Sequence, residues 1–263
     1  MAVKEGKSNK TAISLSDQRM ISSQSSLGDL GYGEMLNFTA VDMLKKITFG
    51  NTVVGLGQHN GKADLGKLEL SEDELKILTA LSPRKQVEWV SSRELLHQIS
   101  RISPRPLCLY DDFGKPYLAG SDKHISISHS ERWCAAMVSD TPCGVDVQVY
   151  TATVRRIADR FLTADDLKKL NALRQANDME DVLPLLHLYW GGKECLYKAY
   201  GKRKLGFREH LFISDIDFKS KTALGKIIFE HVHLSYDIKF ELLPEVAWVY
   251  CTARDIPPTD DSE

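Results

Sequence analysis

The sequence 190-WGGKECLYK-198 decides how the chain is interpreted, because charged residues and two adjacent glycines interrupt an apolar segment. Asp181 can cap its start, Pro184 falls in the first turn and Gly201 follows the last apolar residue, so these signals predict one helix. A glycine inside a helix costs roughly 1 kcal/mol relative to alanine. The pair Gly191-Gly192 therefore indicates that another group approaches this backbone closely.

The predicted helix has two faces of different character. One is an apolar stripe at spacings of three and four, formed by Leu185, Leu188, Tyr189, Leu196, Ala199 and Tyr200. The other is a polar stripe formed by His187, Trp190, Gly191, Glu194 and Lys198. An exposed ion pair between Glu194 and Lys198 is the simplest explanation of the polar stripe, but such a pair contributes only about 0.3–0.5 kcal/mol.

The whole chain has the composition of a globular protein. Its 263 residues are 43% hydrophobic and 27% charged, which is enough for a substantial core in one or two domains. The formal net charge of −2 argues against a general nucleic-acid binder. Five cysteines without a C-x-x-C pair fit neither a zinc cluster nor a disulfide framework. Since no long apolar run or secretory signal is visible, we expect a cytoplasmic protein without a membrane span.

The N-terminal part contains few structural signals before residue 48. Residues 1–47 are expected to be a flexible extension with a helical pattern at 35–44, and the fold is expected to begin with a strand at 52–56. The capping box Ser71-Glu72-Asp73-Glu74 predicts a helix to about residue 81, and Pro83 begins the next. On composition alone, Lys85 and Arg93 on that second helix are solvated side chains.

The middle of the chain has a β-strand pattern. Ile125 and Ile127 alternate with serines, residues 134–138 are continuously apolar, and Val145, Val147 and Val149 alternate with Asp146 and Gln148. The short connections predict three neighbouring antiparallel strands. Asp146 and Gln148 then share one face, which is either the solvated side of the sheet or a polar site.

Ser128-His129-Ser130 follows the first of these strands and has two interpretations. A histidine among hydroxyls can donate to a phosphate, and it is equally compatible with a hydrogen-bonded structural role. A catalytic triad is disfavoured, because no G-x-S-x-G turn precedes a helix.

Helical segments from Val154 and a further antiparallel strand set from Leu211 repeat the order of helices and strands seen in the first part. This order predicts an α+β fold with two similar halves, each with antiparallel strands packed on helices, at 48–152 and 153–254. The tail at 255–263, with two prolines and three acids among 256–263, is expected to be disordered.

Four motifs in this order resemble the 4′-phosphopantetheinyl transferase superfamily, in the larger monomeric type that modifies carrier proteins. They are Gly114-Lys115-Pro116, Ser126-Ile127-Ser128-His129-Ser130, Gly144-Val145-Asp146 and Trp190-x-x-Lys193-Glu194-x-x-x-Lys198. The resemblance implies a pseudo-twofold pair of α+β halves with the active site at their junction. It also implies Mg²⁺-dependent transfer of the phosphopantetheine arm of coenzyme A to a carrier-protein serine, with release of adenosine 3′,5′-bisphosphate.

The resemblance also implies roles for individual residues. Asp146 and Glu194 become the principal Mg²⁺ ligands, one from each half, and Lys198 stabilises the pyrophosphate. Lys193 would hold a phosphate or help to organise the site. The other coenzyme A contacts would be Ser128, His129, Lys115, Lys85 and Arg93. Many relatives have a second carboxylate two residues after the first, where this chain has Gln148. Gln148 would ligate Mg²⁺ through its amide oxygen or leave the place to water, so we expect a higher Mg²⁺ requirement.

Several alternatives remain at this stage. The first is a catalytically weakened relative that acts as a coenzyme A or carrier-protein binding module, which Gln148 favours and Asp146, Glu194 and Lys198 oppose. A nucleotide phosphotransferase lacks a Walker loop, and a hydrolase lacks its triad context. Lys202, Arg203 and Lys204 are either a solvated loop or a docking surface for an acidic carrier. Acyl, peptidyl and aryl carriers, and the fatty-acid, polyketide or nonribosomal-peptide pathways they serve, are not distinguished.

Overall fold

Two antiparallel sheets organise the protein. The computed structural model describes residues 41–62, 68–202 and 205–254. In these ranges the strands are β1 (Val41–Phe49), β2 (Thr52–His59), β3 (Cys108–Tyr110), β4 (Pro116–Leu118), β5 (His124–Ser130), β6 (Trp133–Ser139), β7 (Cys143–Val149), β8 (Leu211–Asp217), β9 (Thr222–Phe229), β10 (Val232–Leu242) and β11 (Val246–Ala253). The helices are α1 (Glu72–Thr79), α2 (Pro83–Ser100), α3 (Thr153–Arg156), α4 (Ala158–Phe161), α5 (Ala164–Ala176) and α6 (Leu183–Tyr200).

The strand order is β1-β2-β6-β5-β4-β3 in the first sheet and β7-β11-β10-β9-β8 in the second. Every pairing between the described strands is antiparallel. Helix α2 packs on the first sheet and α6 on the second. The predicted α+β class is therefore confirmed.

Alternating side chains of the strands divide the core into layers. In β6, Cys134, Ala136 and Val138 pack toward α2, whereas Ala135 and Met137 pack against the second sheet. A separate apolar cluster fills the space between α6 and the second sheet. The two sheets thus face each other, and each has its long helix on its outer face.

The predicted capping box of α1 and the predicted end of α6 are observed, whereas the N-cap of α6 is Val182, one residue after the predicted Asp181. Ser71 and Glu74 form the reciprocal capping box at α1, with distances of 3.2 Å from Glu74 N to Ser71 Oγ and 3.1 Å from Ser71 N to Glu74 Oε2. At α6, the Asp181 carboxylate accepts a hydrogen bond from the Leu183 amide at 2.9 Å. Gly201 ends this helix with φ of +70°, a conformation that glycine adopts without a steric cost.

The helical expectation at 35–44 is wrong for the residues that the structure describes. Residues 41–44 belong to β1, which pairs along its length with β2. Residues 41–47 of the expected flexible extension are therefore part of a strand, because pairing with a buried neighbour outweighs a weak local helical pattern. Residues 1–40, the basic pair 203–204 and the tail 255–263 lie outside the described residues.

The expected meander of three neighbouring strands is also wrong at its last member. β7 follows β6 through a short connection but pairs with β11 in the second sheet. A short connection thus joins the two sheets here instead of forming a hairpin. The division into halves at 48–152 and 153–254 stays a prediction, and β7 lies before 153 although its hydrogen bonds join it to the later strands.

None of the helices in the described part of the chain is long and apolar enough to span a membrane.

Candidate active site

The polar face of β7 is covered by α6. Val145 and Val147 point into the core between the sheets, so the alternation of the strand directs Asp146 and Gln148 toward the helix. Asp146 is only 1% exposed, which excludes the solvated-face interpretation. A buried carboxylate needs charged or hydrogen-bonding partners, because transfer of an unpaired charge from water is costly.

Glycines allow this close packing of α6 on β7 and β11. A Cβ atom at Gly144 would lie 1.9 Å from the Cys195 carbonyl oxygen. A Cβ at Gly191 would lie 3.0 Å from Val249 Cγ2 and 3.5 Å from Asp146 Oδ2, and one at Gly192 would meet a side-chain atom of the second sheet at 2.4 Å. The glycine pair of the opening motif therefore serves the close approach of the helix to the second sheet.

Three side chains donate hydrogen bonds to Asp146. The Lys198 ammonium donates to Asp146 Oδ1 at 2.7 Å and to the Val145 carbonyl oxygen at 3.0 Å. Ser128 Oγ also donates to Oδ1, at 2.8 Å, and Gln148 Nε2 donates to Oδ2 at 3.0 Å. We call Ser128, Asp146, Gln148, Glu194 and Lys198 the Asp146 cluster.

Lys198 remains charged and reachable in this cluster. Burial lowers its pKa, but the negative charge and hydrogen bond of Asp146 outweigh burial, so the pKa is raised above its ordinary value. Its side chain is 27% exposed, compared with 2% for that of Asp146. Lys198 can therefore meet an anion while it is held from below by Asp146.

Glu194 lies one helical turn before Lys198 and has an unusual environment. Among the described residues, none forms a hydrogen bond or ion pair with its carboxylate at bonding distance. Burial, followed by the negative charge of Asp146, raises the pKa of Glu194 to about 7, against the lowering effect of Lys198. A cation beside Asp146 and Glu194 would offset both unfavourable effects, because an opposite charge favours the ionised carboxylate.

These residues fit a magnesium ion. Mg²⁺ is commonly held by one or two carboxylates, with water and substrate phosphate oxygens completing its coordination. Across the described ranges, no group of three or more His, Cys, Asp or Glu residues is arranged for metal binding. Asp146 and Glu194 would therefore act as a carboxylate pair and not as a complete protein cage. Asp146 lies in the predicted half 48–152 and Glu194 in the half 153–254, and in the structure both are carried by the second sheet and its helix.

The motif serine and histidine point to opposite sides of β5. Ser128 is 6% exposed and lies under Asp146, whereas the His129 side chain is 48% exposed. His129 Nδ1 lies 3.5 Å from Glu88 Oε2 on α2. Burial, with the nearby charges of Lys198 and Arg84, lowers the pKa of His129, and the Glu88 carboxylate opposes this change. Glu88 is a partner that the sequence motifs did not indicate.

Lys115, in the turn between β3 and β4, contacts the C-terminal end of α6. Its ammonium donates to the Ala199 carbonyl oxygen at 2.6 Å, and a Cβ at Gly201 would lie 2.2 Å from its Cδ. Lys115 and Lys198 both line a cavity of about 100 Å³. Its other lining residues include Phe113, Ile125, Tyr197 and Lys202. Lys115 therefore borders the same cavity as Lys198, which is consistent with a role at the edge of the site.

Arg93 and Lys85 do not join the Asp146 cluster. The Arg93 guanidinium lies 3.6 Å from the centre of the Trp89 ring and donates to the Tyr110 hydroxyl at 3.1 Å. Arg93 is 3% exposed, so the solvated interpretation is wrong for this residue. Lys85 is exposed in the first turn of α2.

Lys193 points away from the cluster, and the structure does not support the expected coenzyme A contact. Its side chain is 0% exposed, and its ammonium donates to the carbonyl oxygens of Phe161 and Phe207. Asp166 Oδ2 lies 3.7 Å from the same nitrogen. Consecutive helical residues are rotated by about 100° from each other, so Lys193 and Glu194 cannot share one face. Lys193 links α6 to the loops around it.

Known proteins resemble the part of the chain that builds this cluster. Residues 142–247 match the family described as the 4′-phosphopantetheinyl transferase superfamily. A 4′-phosphopantetheinyl transferase of Bacillus subtilis is 33% identical over 92 residues, which are 35% of this chain and 39% of the relative. The transferase gsp of Aneurinibacillus migulanus is 30% identical over 112 residues, or 42% of this chain and 45% of the relative.

A third transferase, from Bacillus pumilus, is 34% identical over 112 residues, or 42% of this chain and 46% of the relative. The chain thus spans less than half the length of each of these relatives. The family match nevertheless contains Asp146, Glu194 and Lys198. The resemblance predicted from the motifs is therefore confirmed for residues 142–247, the segment that builds most of the Asp146 cluster and matches the 4′-phosphopantetheinyl transferase superfamily.

Proposed function

We propose that this protein transfers the 4′-phosphopantetheine arm of coenzyme A to a serine of an apo carrier protein. The observation that carries the proposal is the arrangement of Asp146, Glu194 and Lys198 within the segment that matches the family. Two carboxylates and an ammonium on one buried face suit a substrate with a pyrophosphate group.

Asp146 and Glu194 would hold Mg²⁺, with Gln148 or water as a further neutral ligand. When bound, the ion supplies positive charge that offsets the charge of the pyrophosphate. Gln148 donates its amide group to Asp146 Oδ2. The amide oxygen stays free to act as a ligand but lacks the negative charge of a carboxylate, so we propose a higher Mg²⁺ requirement than a carboxylate at this position would give.

The residues of the chain position the reactants and manage charge. The carrier serine oxygen forms a bond to the β-phosphorus of coenzyme A, and the bond from that phosphorus to the bridging oxygen breaks. Lys198 stabilises the negative charge on the departing adenosine 3′,5′-bisphosphate. Glu194, which has no hydrogen-bond partner among the described residues, accepts the serine proton. The partner supplies the nucleophile, so the chain needs none of its own.

Lys115, which is a further cation, and the imidazole of His129, which is a hydrogen-bond donor, lie near this cluster and suit an anionic substrate. Lys115 borders the cavity next to Lys198, and His129 lies on the neighbouring strand β5. A protein with a net charge of −2 needs such local cations to bind coenzyme A. We propose that the protein acts as a monomer in the cytoplasm and that its partner is an acyl, peptidyl or aryl carrier protein.

A mass measurement tests the proposed activity. The protein is incubated with Mg²⁺, coenzyme A and a panel of apo carrier proteins, and intact-protein mass spectrometry detects a phosphopantetheine adduct. We expect an adduct on at least one carrier, and it should be lost in the variants Glu194→Gln and Lys198→Met. An Arg160→Gln variant, which removes an exposed positive charge on the short helix α4, serves as a control. No adduct with any carrier would refute the activity.

A binding module for coenzyme A or a carrier protein is the second candidate, and the amide of Gln148 favours it. Titration calorimetry with coenzyme A distinguishes the two candidates. Tight binding in the presence of Mg²⁺ without any adduct would support the module, whereas adduct formation would exclude it.

A further inference from the structure

Three serines join the two sheets. β7 is the edge strand of the second sheet, and one of its edges pairs with β11. On the other edge, the amides of Val145, Val147 and Val149 donate to serine hydroxyls of β5 at 3.0, 3.3 and 3.1 Å. The acceptors, in the same order, are Ser126, Ser128 and Ser130. Side-chain oxygens therefore satisfy amides that an edge strand would otherwise leave unpaired.

Ser128 differs from its two neighbours in one contact. A serine hydroxyl has one hydrogen to donate and two lone pairs to accept with. Ser128 donates its hydrogen to Asp146 Oδ1 at 2.8 Å while it accepts from the Val147 amide. Within the described part of the chain, no such bond to a carboxylate is formed by Ser126 or Ser130. The Ser128 hydrogen is thus already used, and the side chain is buried under Asp146.

The two oxygens of Asp146 have different surroundings as a result. Oδ1 receives both the Ser128 hydroxyl and the Lys198 ammonium. Oδ2 receives only the neutral Gln148 amide and lies on the side of Gly191, 3.5 Å from the place of a Cβ there. Without the Ser128 bond, only Lys198 and Gln148 would orient the carboxylate, so a rotation that brings Oδ2 toward Lys198 would meet less resistance. That pairing would compete directly with a cation.

We propose that Ser128 is a positioning residue, which holds Asp146 so that Oδ1 pairs with Lys198 and Oδ2 stays available to a divalent cation. This inference rests on the proposed function and replaces the expected contact between Ser128 and a coenzyme A phosphate. Ser128 acts through Asp146 and does not touch the substrate. The role explains why a hydroxyl is needed at this position in addition to the amide bond that all three serines make.

The three serines provide matched controls for an experiment. Each of Ser126→Ala, Ser128→Ala and Ser130→Ala removes one acceptor of a β7 amide, but only Ser128→Ala removes the bond to Asp146. Ser128→Thr keeps the hydroxyl and suits a β-strand. The first readout is binding of Mn²⁺, as a spectroscopic substitute for Mg²⁺, to each full-length protein without coenzyme A. Melting temperatures report the structural effect of each change.

We expect Ser128→Ala to weaken Mn²⁺ binding about tenfold, the equivalent of one hydrogen bond to a charged group. Ser126→Ala and Ser130→Ala should lower the melting temperature by a similar amount but change Mn²⁺ binding less than about twofold, and Ser128→Thr should restore binding. In the transfer assay, Ser128→Ala should raise the Mg²⁺ concentration for half-maximal rate and leave the KM for coenzyme A unchanged.

Three outcomes would overturn the inference. Equal weakening in all three alanine variants would reduce Ser128 to a structural contact between the sheets. A higher KM for coenzyme A with unchanged Mn²⁺ binding would make Ser128 a phosphate contact, and a wild-type protein that does not bind Mn²⁺ would remove the premise. The Mn²⁺ measurement needs no carrier protein, so failure of the transfer assay alone would count against the proposed function and not against the role of Ser128.

Discussion

Replacing Gln148 by glutamate tests how the cluster balances its charge. Gln148 Nε2 lies 3.0 Å from Asp146 Oδ2, so Gln148→Glu places a second carboxylate beside a buried one. Two like charges about 4 Å apart repel by about 4 kcal/mol at an effective dielectric constant near 20. Lys198, 2.7 Å from the other oxygen of Asp146, offsets part of this repulsion. Without a divalent cation the variant should melt roughly 5–10 °C below the wild type.

The same charge should strengthen cation binding. Bound Mg²⁺ attracts both carboxylates of the variant, so we expect the Mg²⁺ dissociation constant of Gln148→Glu to be at least about tenfold lower than that of the wild type. Differential scanning fluorimetry in EDTA and across a Mg²⁺ titration measures both effects, and the Mg²⁺ dependence of the transfer rate provides an independent value. Gln148→Met is the control, because it removes the hydrogen bond without adding charge.

Two results would refute this reasoning. If Gln148→Glu requires as much Mg²⁺ as the wild type, residue 148 does not contribute to the cation site. If the variant in EDTA is as stable as Gln148→Met, the added carboxylate does not face Asp146 as the distance implies.

Three further predictions concern packing, thiols and acid stability. Gly144→Ala should reduce the transfer rate at least about 100-fold, because the new Cβ would lie 1.9 Å from the Cys195 carbonyl oxygen and force α6 away by about 1 Å. Steady-state kinetics and melting curves measure this effect, and a wild-type rate would contradict the prediction. The five cysteines are buried and burial raises the pKa of each thiol, so a thiol reagent at pH 8 should modify the folded protein slowly and the denatured protein at five sites. Burial raises the pKa of Glu74, but hydrogen bonds from Arg105 and the Ser71 amide lower it by more, so the net shift is downward. The ionised Glu74 carboxylate therefore stabilises the fold above about pH 4.5. Glu74→Gln should therefore cost about 3 kcal/mol in urea unfolding at pH 7 and progressively less as the pH falls below about 4.5, and a constant difference would contradict this.

Local signals in the sequence predicted local structure well. The capping box at Ser71, the proline in the first turn of α6 and the glycine at its end each act within one helical turn, so their effect is visible without tertiary information. The placement of Glu194 and Lys198 on one face of α6 follows from helix geometry alone. The partner of that face, Asp146, came from the family resemblance and not from a periodic pattern.

The two errors in strand assignment had different causes. β7 pairs with a strand about a hundred residues later, so neighbouring sequence could not reveal its partner. β1 pairs with the next strand, β2, so there a weak helical pattern was preferred over a local strand pairing. The error for Lys193 was of another kind. Consecutive helical residues are rotated by about 100°, so the sequence alone could have shown that Lys193 and Glu194 lie on different faces of the helix. The alternate serines of β5 were visible, but their acceptor role depends on the edge of β7.

The placement of β7 also divides the site mechanically. Asp146, Glu194 and Lys198 are all carried by the second sheet and its helix, whereas His129 and Lys115 are carried by the first sheet and its connections. At this point the polar contacts between β5 and β7 are hydrogen bonds to the hydroxyls of Ser126, Ser128 and Ser130. Each of these hydroxyls is positioned by a single side-chain torsion. A small slide of one sheet along the other would change the distances from His129 and Lys115 to the cluster. Such a displacement would reach Asp146 through the Ser128 hydroxyl.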